Sequence, residues 1–310
     1  MLKNWSGKLT LSAFIVSTIL GGNNAIAVRF SNIEIPPFFG AAFRFSVAGL
    51  ILFMIVIIKR LPFPKGRTLI GVLFFGVLQF GIGYALGYWS LLEVPAGLFQ
   101  VILAIVPLLT FVFAILHRQE SFQWRILFGG FLSMVGITII FQDSLSANVP
   151  LLSLLAIVLA AACFAESIVL VKSLPNLHPI TTNAIAMIIG SLILFAFSTL
   201  SREVPHMPNT AATFLAVIYL IFFGSIVMFV LALYVISRWK ASASSYQLVL
   251  MPIVTILFSS WLTNESISFT FLFGGFIVLA GVYIGSIMPS ELIQRIFYRK
   301  KGLENSNKVQ

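Results

Sequence analysis

The chain has 310 residues, 59% of them hydrophobic and only 9% charged, with a net charge of +10. A water-soluble fold of this length cannot bury so large an apolar share, so soluble enzymes and soluble binding modules are excluded. The positive charge alone would admit nucleic acid, but the lysines and arginines flank long apolar runs instead of forming a basic face, which argues against that partner.

A helix crossing a hydrocarbon core roughly 30 Å thick needs about 20 apolar residues. Ten runs meet that requirement, without the short alternating segments of an outer-membrane barrel. The first, Leu9 to Val28, contains Gly21, Gly22, Asn23 and Asn24 where an apolar helix should be uninterrupted. Lys3 and Lys8 ahead of it and Ala25 to Ala27 near its end also fit a cleaved signal peptide. The second, Pro37 to Ile58, carries Arg44 about 10 Å below the surface at helical rise. The third, Thr68 to Leu91, sets Gly76, Gln79, Gly83, Gly87 and Ser90 on one narrow face, flanked by Tyr84 and Trp89. The fourth, Ala96 to Leu116, aligns Gln100, Ala104 and Pro107, and the fifth runs from Trp124 to Phe141. The sixth, Leu151 to Val171, holds Cys163 and Glu166, the one carboxylate well inside a run. The seventh spans Pro179 to Leu200 and the eighth Ala211 to Ile236. The ninth, Ala243 to Leu262, aligns Gln247, Met251 and Thr255 around Pro252, and the tenth spans Phe269 to Met288. A lone cysteine in an apolar run implies neither a disulfide nor a metal site.

Sixteen of the nineteen lysines and arginines fall on the side of the N-terminus, leaving Arg29 and Arg202 opposite and Arg44 within a span. By the positive-inside rule both termini are cytoplasmic, which an even number of helices permits. The basic tail, residues 289–310, then lies near anionic headgroups or in solvent.

The chain also repeats. An offset of 145 aligns "VPLLTFVFAILHRQESFQWRILFGGFLSMVG" with "MPIVTILFSSWLTNESISFTFLFGGFIVLAG" without a gap, pairing Pro107 with Pro252, Glu120 with Glu265 and Gly136 with Gly281. An offset of 142 aligns the earlier helices, pairing Pro37 with Pro179 and Asn24 with Glu166. Each unit holds five helices, residues 9–141 and 151–288. Five is odd, so the second unit enters the membrane inverted relative to the first. Cleavage after Ala27 would remove the counterpart of the helix carrying Glu166, which argues against the signal-peptide reading.

These features resemble the drug/metabolite transporter superfamily of EamA type. The matching marks are ten helices in two repeats, an Asn-containing Gly-rich first helix, an Arg in the second, a helix-centre Pro and the closing "E…GG…G" segments "ESFQWRILFGGFLSMVG" and "ESISFTFLFGGFIVLAG". The chain departs from the common pattern in lacking a Trp before the first-helix Gly, and Arg29 stands near the place of a usual Lys. The resemblance implies a plasma-membrane carrier of small metabolites, amino acids or related compounds, more often exporting than importing.

The residues themselves leave several roles open. Inverted repeats point to alternating access around a midplane site, with a channel, a scaffold or a membrane enzyme acting on a hydrophobic substrate as the alternatives. Asn23, Asn24 and Arg44 either hold the first two helices together or meet a substrate carboxylate. Gln79, Tyr84, Trp89, Gln100, Tyr246 and Gln247 are candidate cavity residues, and Pro107 and Pro252 candidate bends or gates. Glu166 either binds a proton or makes a structural hydrogen bond. His117, His178 and His206 lie near loops without metal-binding spacing, and neither Walker A nor GxSxG occurs, so no cofactor, metal or ATP drive is expected. The expected partners are a small-molecule substrate and the bilayer, and a monomer is the simplest assembly.

Overall fold

The computed structural model describes the backbone of residues 2–94, 96–146, 149–175, 177–263 and 268–287. Among the described residues ten helical segments cross the molecule and there is no β-strand. They are α1 (Leu2–Ser31), α2 (Pro37–Ile58), α3 (Gly66–Ser90), α4 (Ala96–Leu103, then Val106–Leu116) and α5 (Trp124–Ile140). The second set is α6 (Leu151–Ser173), α7 (Pro179–Leu200), α8 (Ala211–Arg238), α9 (Ala241–Ser245, then Gln247–Thr263) and α10 (Phe269–Val282, extended by the π-turn Tyr283–Ile287). Nine of these are long and apolar enough to cross a membrane, and α5 is apolar but shorter, at 17 residues. The chain is a multi-pass membrane protein. Glu265 and the basic tail lie outside the described residues.

Sequence dictates which faces pack. Helix α6 turns Leu151, Leu152, Leu155, Val158 and Leu159 outward and buries Ser153, Ala156, Ala160 and Ala161. In lipid a large apolar side chain gains nothing by leaving the surface, whereas small residues let backbones approach and collect dispersion contacts. Although Ile157, Phe164 and Ile168 are buried as well, the row of large side chains facing outward over small ones facing inward is the reverse of what water would select.

The helix pairings map onto themselves when each helix is exchanged for the one five later. Helix α2 packs on α7 and α5 on α10; the contact of α1 with α9 is mirrored by α6 with α4, and that of α1 with α8 by α6 with α3. This is the inverted repeat in three dimensions. Each "LFGGF" segment forms a close seam with the later glycine of the other helix, because a Cβ at Gly129 would lie 2.6 Å from the Gly281 carbonyl oxygen, and a Cβ at Gly281 equally close to that of Gly129. Gly136 and Gly274 meet likewise at 2.7 and 2.8 Å, whereas Gly275 faces open space.

Four glutamates act as caps on helices distant in sequence. Glu203 accepts from the Phe38 and Phe39 N–H groups at the start of α2, 3.0 and 2.8 Å. Glu34 accepts from Asn209 and Thr210 before α8, at 2.6 and 3.2 Å. Buried Glu120 accepts from the Ser242 N–H and hydroxyl at the start of α9, 3.0 and 2.6 Å, and Glu93 accepts from the Ser153 hydroxyl in the first turn of α6. Each places negative charge where unpaired N–H groups and the helix dipole favour it. The helices ahead of two of these caps end alike: Arg118 and Arg202 take left-handed φ values of 57° and 54°, so that Gln119 and Glu203 donate back to Ala114 and Ser198. That turn sends Glu203 toward α2 and Glu120 toward α9.

Two outcomes are expected. Gly281→Val should abolish a monodisperse, cooperatively melting protein in detergent, since overpacking against backbone costs at least about 1–3 kcal/mol, while Gly275→Val should melt as the parent does. The Thr210 and Asn209 hydrogen bonds hold the Glu34 carboxyl below its usual range. Its contribution is therefore complete above the unfolded value of 4.5 and lost as pH falls through the lowered one, so the melting difference between parent and Glu34→Gln should vanish under acid titration.

Candidate functional site

The polar residues of the apolar helices converge through two irregularities. Helix α3 winds as a π-helix over Val77–Gly83 and α8 over Phe222–Val227, the same place in each repeat at the offset of 145. A π-turn shifts the bonding to i→i+5 and leaves a carbonyl short of its partner. Asn24 of α1 supplies that partner in α8, its amide donating to the Gly224 carbonyl at 2.9 Å. On the mirrored side Ser167 of α6 donates to Gln79 of α3, the residue equivalent to Gly224, at 2.5 Å. Each π-segment is thus met by the first helix of the other repeat.

Between these contacts lies a cavity of about 330 Å³, lined by α1, α2, α3, α4, α6, α8 and α9. Its walls are built from equivalent positions: Gly83, Tyr84, Gly87, Tyr88 and Leu91 of α3 answer Met228, Phe229, Ala232, Leu233 and Ile236 of α8. Phe99, Gln100 and Leu103 of α4 answer Ser244, Ser245 and Leu248 of α9 in the same way. The cavity therefore sits on the pseudo-twofold axis. Its polar lining comes from Asn24, Arg44, Gln79, Gln100, Ser244, Ser245 and Gln247 together with the Tyr84 and Tyr88 hydroxyls.

Arg44 is 3% exposed, with its guanidinium carbon 4.4 Å from the Phe45 ring centroid and 5.4 Å from that of Tyr84. Its Nε and Nη1 have no hydrogen-bond partner among the described residues. The expected contact with the α1 amides is not made: the Asn24 NH2 group donates to Gly224 while its Oδ1 and the Arg44 Nε and Nη1 stay unpartnered among the described residues, and Asn23 does not line the cavity. Gln247 donates to the Ser17 hydroxyl and, more weakly, to the Phe14 carbonyl at 3.4 Å, and Thr255 donates to the Gly22 carbonyl at 2.7 Å, so α9 is bolted to α1 beside the cavity.

Other candidates lie elsewhere. Trp89 packs against the α2 side of the core, and Tyr246 is fully buried beside α5 and α10, donating to the Ile126 carbonyl at 3.2 Å. Pro107 opens the second piece of α4 after a break at Ala104 and Ile105, as a missing N–H permits in a first turn. Pro252 lies within an unbroken stretch, and the break in α9 falls instead at Tyr246. Glu166 is outside the cavity lining, with Oε1 3.0 Å from Nε2 of His117 at the end of α4, both side chains part-exposed. Sequence reasoning missed Tyr88, Ser167, Phe229, the Ser244–Ser245 pair and the Glu166 partner. The signal for most of them was the offset itself, carried along α3 and α8.

The comparisons agree with this architecture. The model of the EamA-like transporter family matches residues 8–142 and again 151–287. The uncharacterized inner membrane transporter YedA of Escherichia coli K12 is 27% identical over 256 residues, 81% of each chain. An uncharacterized transporter of Archaeoglobus fulgidus is 23% identical over 263 residues, covering 83% of this chain and 91% of that one. A crystal structure at 14% identity superimposes with a TM-score of 0.77 over 94% of this chain and 99% of that protein, which marks a common fold. With both halves matched, each a five-helix unit inverted on the other, the chain belongs to the EamA-like transporter family.

Proposed function

We propose that the chain is a secondary transporter that exports small metabolites, amino acids or related compounds, across the plasma membrane by alternating access, with both termini cytoplasmic and the twofold cavity as the cargo site. The observation that carries this reading is the composition of the cavity wall. Equivalent residues of α3 and α8, and of α4 and α9, face one space from opposite orientations. Two such units can exchange conformations and expose the same space to either side without changing its lining. The π-segments support the reading, since they place weakened backbone bonding at the same depth in both repeats. The outward direction follows the exporters this family includes, and the plasma membrane follows its inner-membrane relative.

Coupling is assigned to Glu166 and His117. A carboxylate and an imidazole 3.0 Å apart join the end of α4 to α6, and protonating the carboxylate weakens that link. The pair lies away from the cargo, so it acts on the conformational equilibrium and not on binding. Reconstituted protein should show saturable counterflow with at least one member of a panel of amino acids and related carboxylates; flux indistinguishable from empty liposomes for every member would sink the transport reading. Gly87→Trp, whose Cβ meets Phe99 at an ordinary 3.5 Å and whose ring extends into the cavity, should melt like the parent and lose at least tenfold in flux. Glu166→Gln should abolish the response of flux to an imposed proton gradient, and an unchanged response would remove the coupling assignment.

A further inference from the structure

We propose that the cargo is an organic monoanion, a single carboxylate on an apolar or aromatic body without a compensating ammonium group, and that Arg44 is the residue that binds it. This rests on the cavity being the cargo site and narrows the cargo proposed above to the related carboxylates, away from zwitterionic amino acids.

A guanidinium that is 3% exposed, with Nε and Nη1 unpartnered, is costly unless a negative group reaches it. The flanking Phe45 and Tyr84 rings offset only part of that cost, because a ring quadrupole is a much weaker partner than a carboxylate. Among the described residues the chain supplies no such anion, and no Asp or Glu of theirs lines the cavity. Glu34, Glu93 and Glu203 are engaged at helix starts, and Glu166 pairs with His117 away from the cavity. The pseudo-twofold supplies no second charge either, since the residue equivalent to Arg44 is Ala186, buried against Gly76. Among the described residues Arg44 is therefore the one formal charge on the cavity wall, and it lines the space directly.

Net charge then discriminates among ligands. A monoanion brings the filled cavity to zero and can pair with the planar, forked guanidinium. A zwitterion leaves a total of +1, and its ammonium group finds only neutral amides and hydroxyls while feeling repulsion from Arg44 across a site of low dielectric. An amine without a carboxylate raises the total to +2. The rest of the cargo must be apolar, because Phe75, Phe99, Phe164 and Phe229 line the same space together with Tyr84 and Tyr88. A volume of about 330 Å³ fits a compact ligand of this kind.

Three probes of matched shape separate the alternatives: 3-phenylpropanoate, L-phenylalanine and 2-phenylethylamine, titrated at pH 7.5 into the full chain in lipid nanodiscs and followed calorimetrically. The propanoate should bind at least tenfold more tightly than phenylalanine, and the amine should give no saturable signal. Arg44→Gln should weaken the propanoate at least tenfold and erase the preference, while Arg44→Lys should keep the order of the three with reduced affinity. Equal or tighter binding of phenylalanine or the amine, binding of none of the three, or unchanged propanoate affinity in a folded Arg44→Gln protein would each overturn the proposal. Because the wild-type ranking alone decides, a variant that does not fold leaves the test intact. Counterflow of 2-phenylethanesulfonate, which stays charged and does not leak through lipid, distinguishes the two levels. Propanoate binding with no sulfonate flux refutes transport and keeps the anion site, whereas flux of other cargo with the ranking reversed refutes the anion site alone.

Discussion

A bilayer offers no water to complete a hydrogen bond, so every polar backbone group that the helices leave open must be answered from within the protein. In this chain that constraint locates nearly every polar interaction. Glutamates are spent on helix starts, with Glu203 on α2, Glu34 before α8, Glu120 on α9 and Glu93 on α6. Asn24 is spent on the carbonyl that the π-segment of α8 leaves short. Once these are assigned, Arg44 stands out as a buried charge whose Nε and Nη1 no described residue accepts from.

The fold was largely legible in the sequence. Length and apolar content isolated the ten helices, and the gap-free offset of 145 exposed the inversion, because both signals live in strings that packing in lipid cannot disguise. The "LFGGF" seam was legible for the same reason: two backbones in contact need glycine on both sides. The glutamate caps were not, since partners such as Glu34 and Asn209 lie 175 residues apart and obey no periodicity.

The site was legible only in part. Asn24, Arg44, Gln79, Tyr84, Gln100 and Gln247 do face one cavity. Tyr246 and Trp89 resembled them in composition but turn to packed surfaces, because helical faces were inferred from regular 3.6-residue winding. A π-segment rotates everything beyond it by a fraction of a turn, so face assignments on α3 drift past Val77. Repeat equivalence survives that rotation, since both units carry it at the same point. It is therefore the better guide to lining residues in such a chain.

The interlocking of the repeats also bears on how the protein is made. Helix α1 finds its main partners in α8 and α9, and the Asn24 amide waits for a carbonyl 200 residues further on. At roughly 5–20 residues per second of synthesis, α1 spends on the order of ten to forty seconds in the membrane before that partner emerges. Neither half can mature alone in that interval, and a chain cut between the repeats leaves two fragments whose first helices have each lost their place. The duplicated halves are thus units of sequence but not of assembly, and quality control will meet α1, with its exposed glycines and amides, as a helix secured late although it is the first to be made.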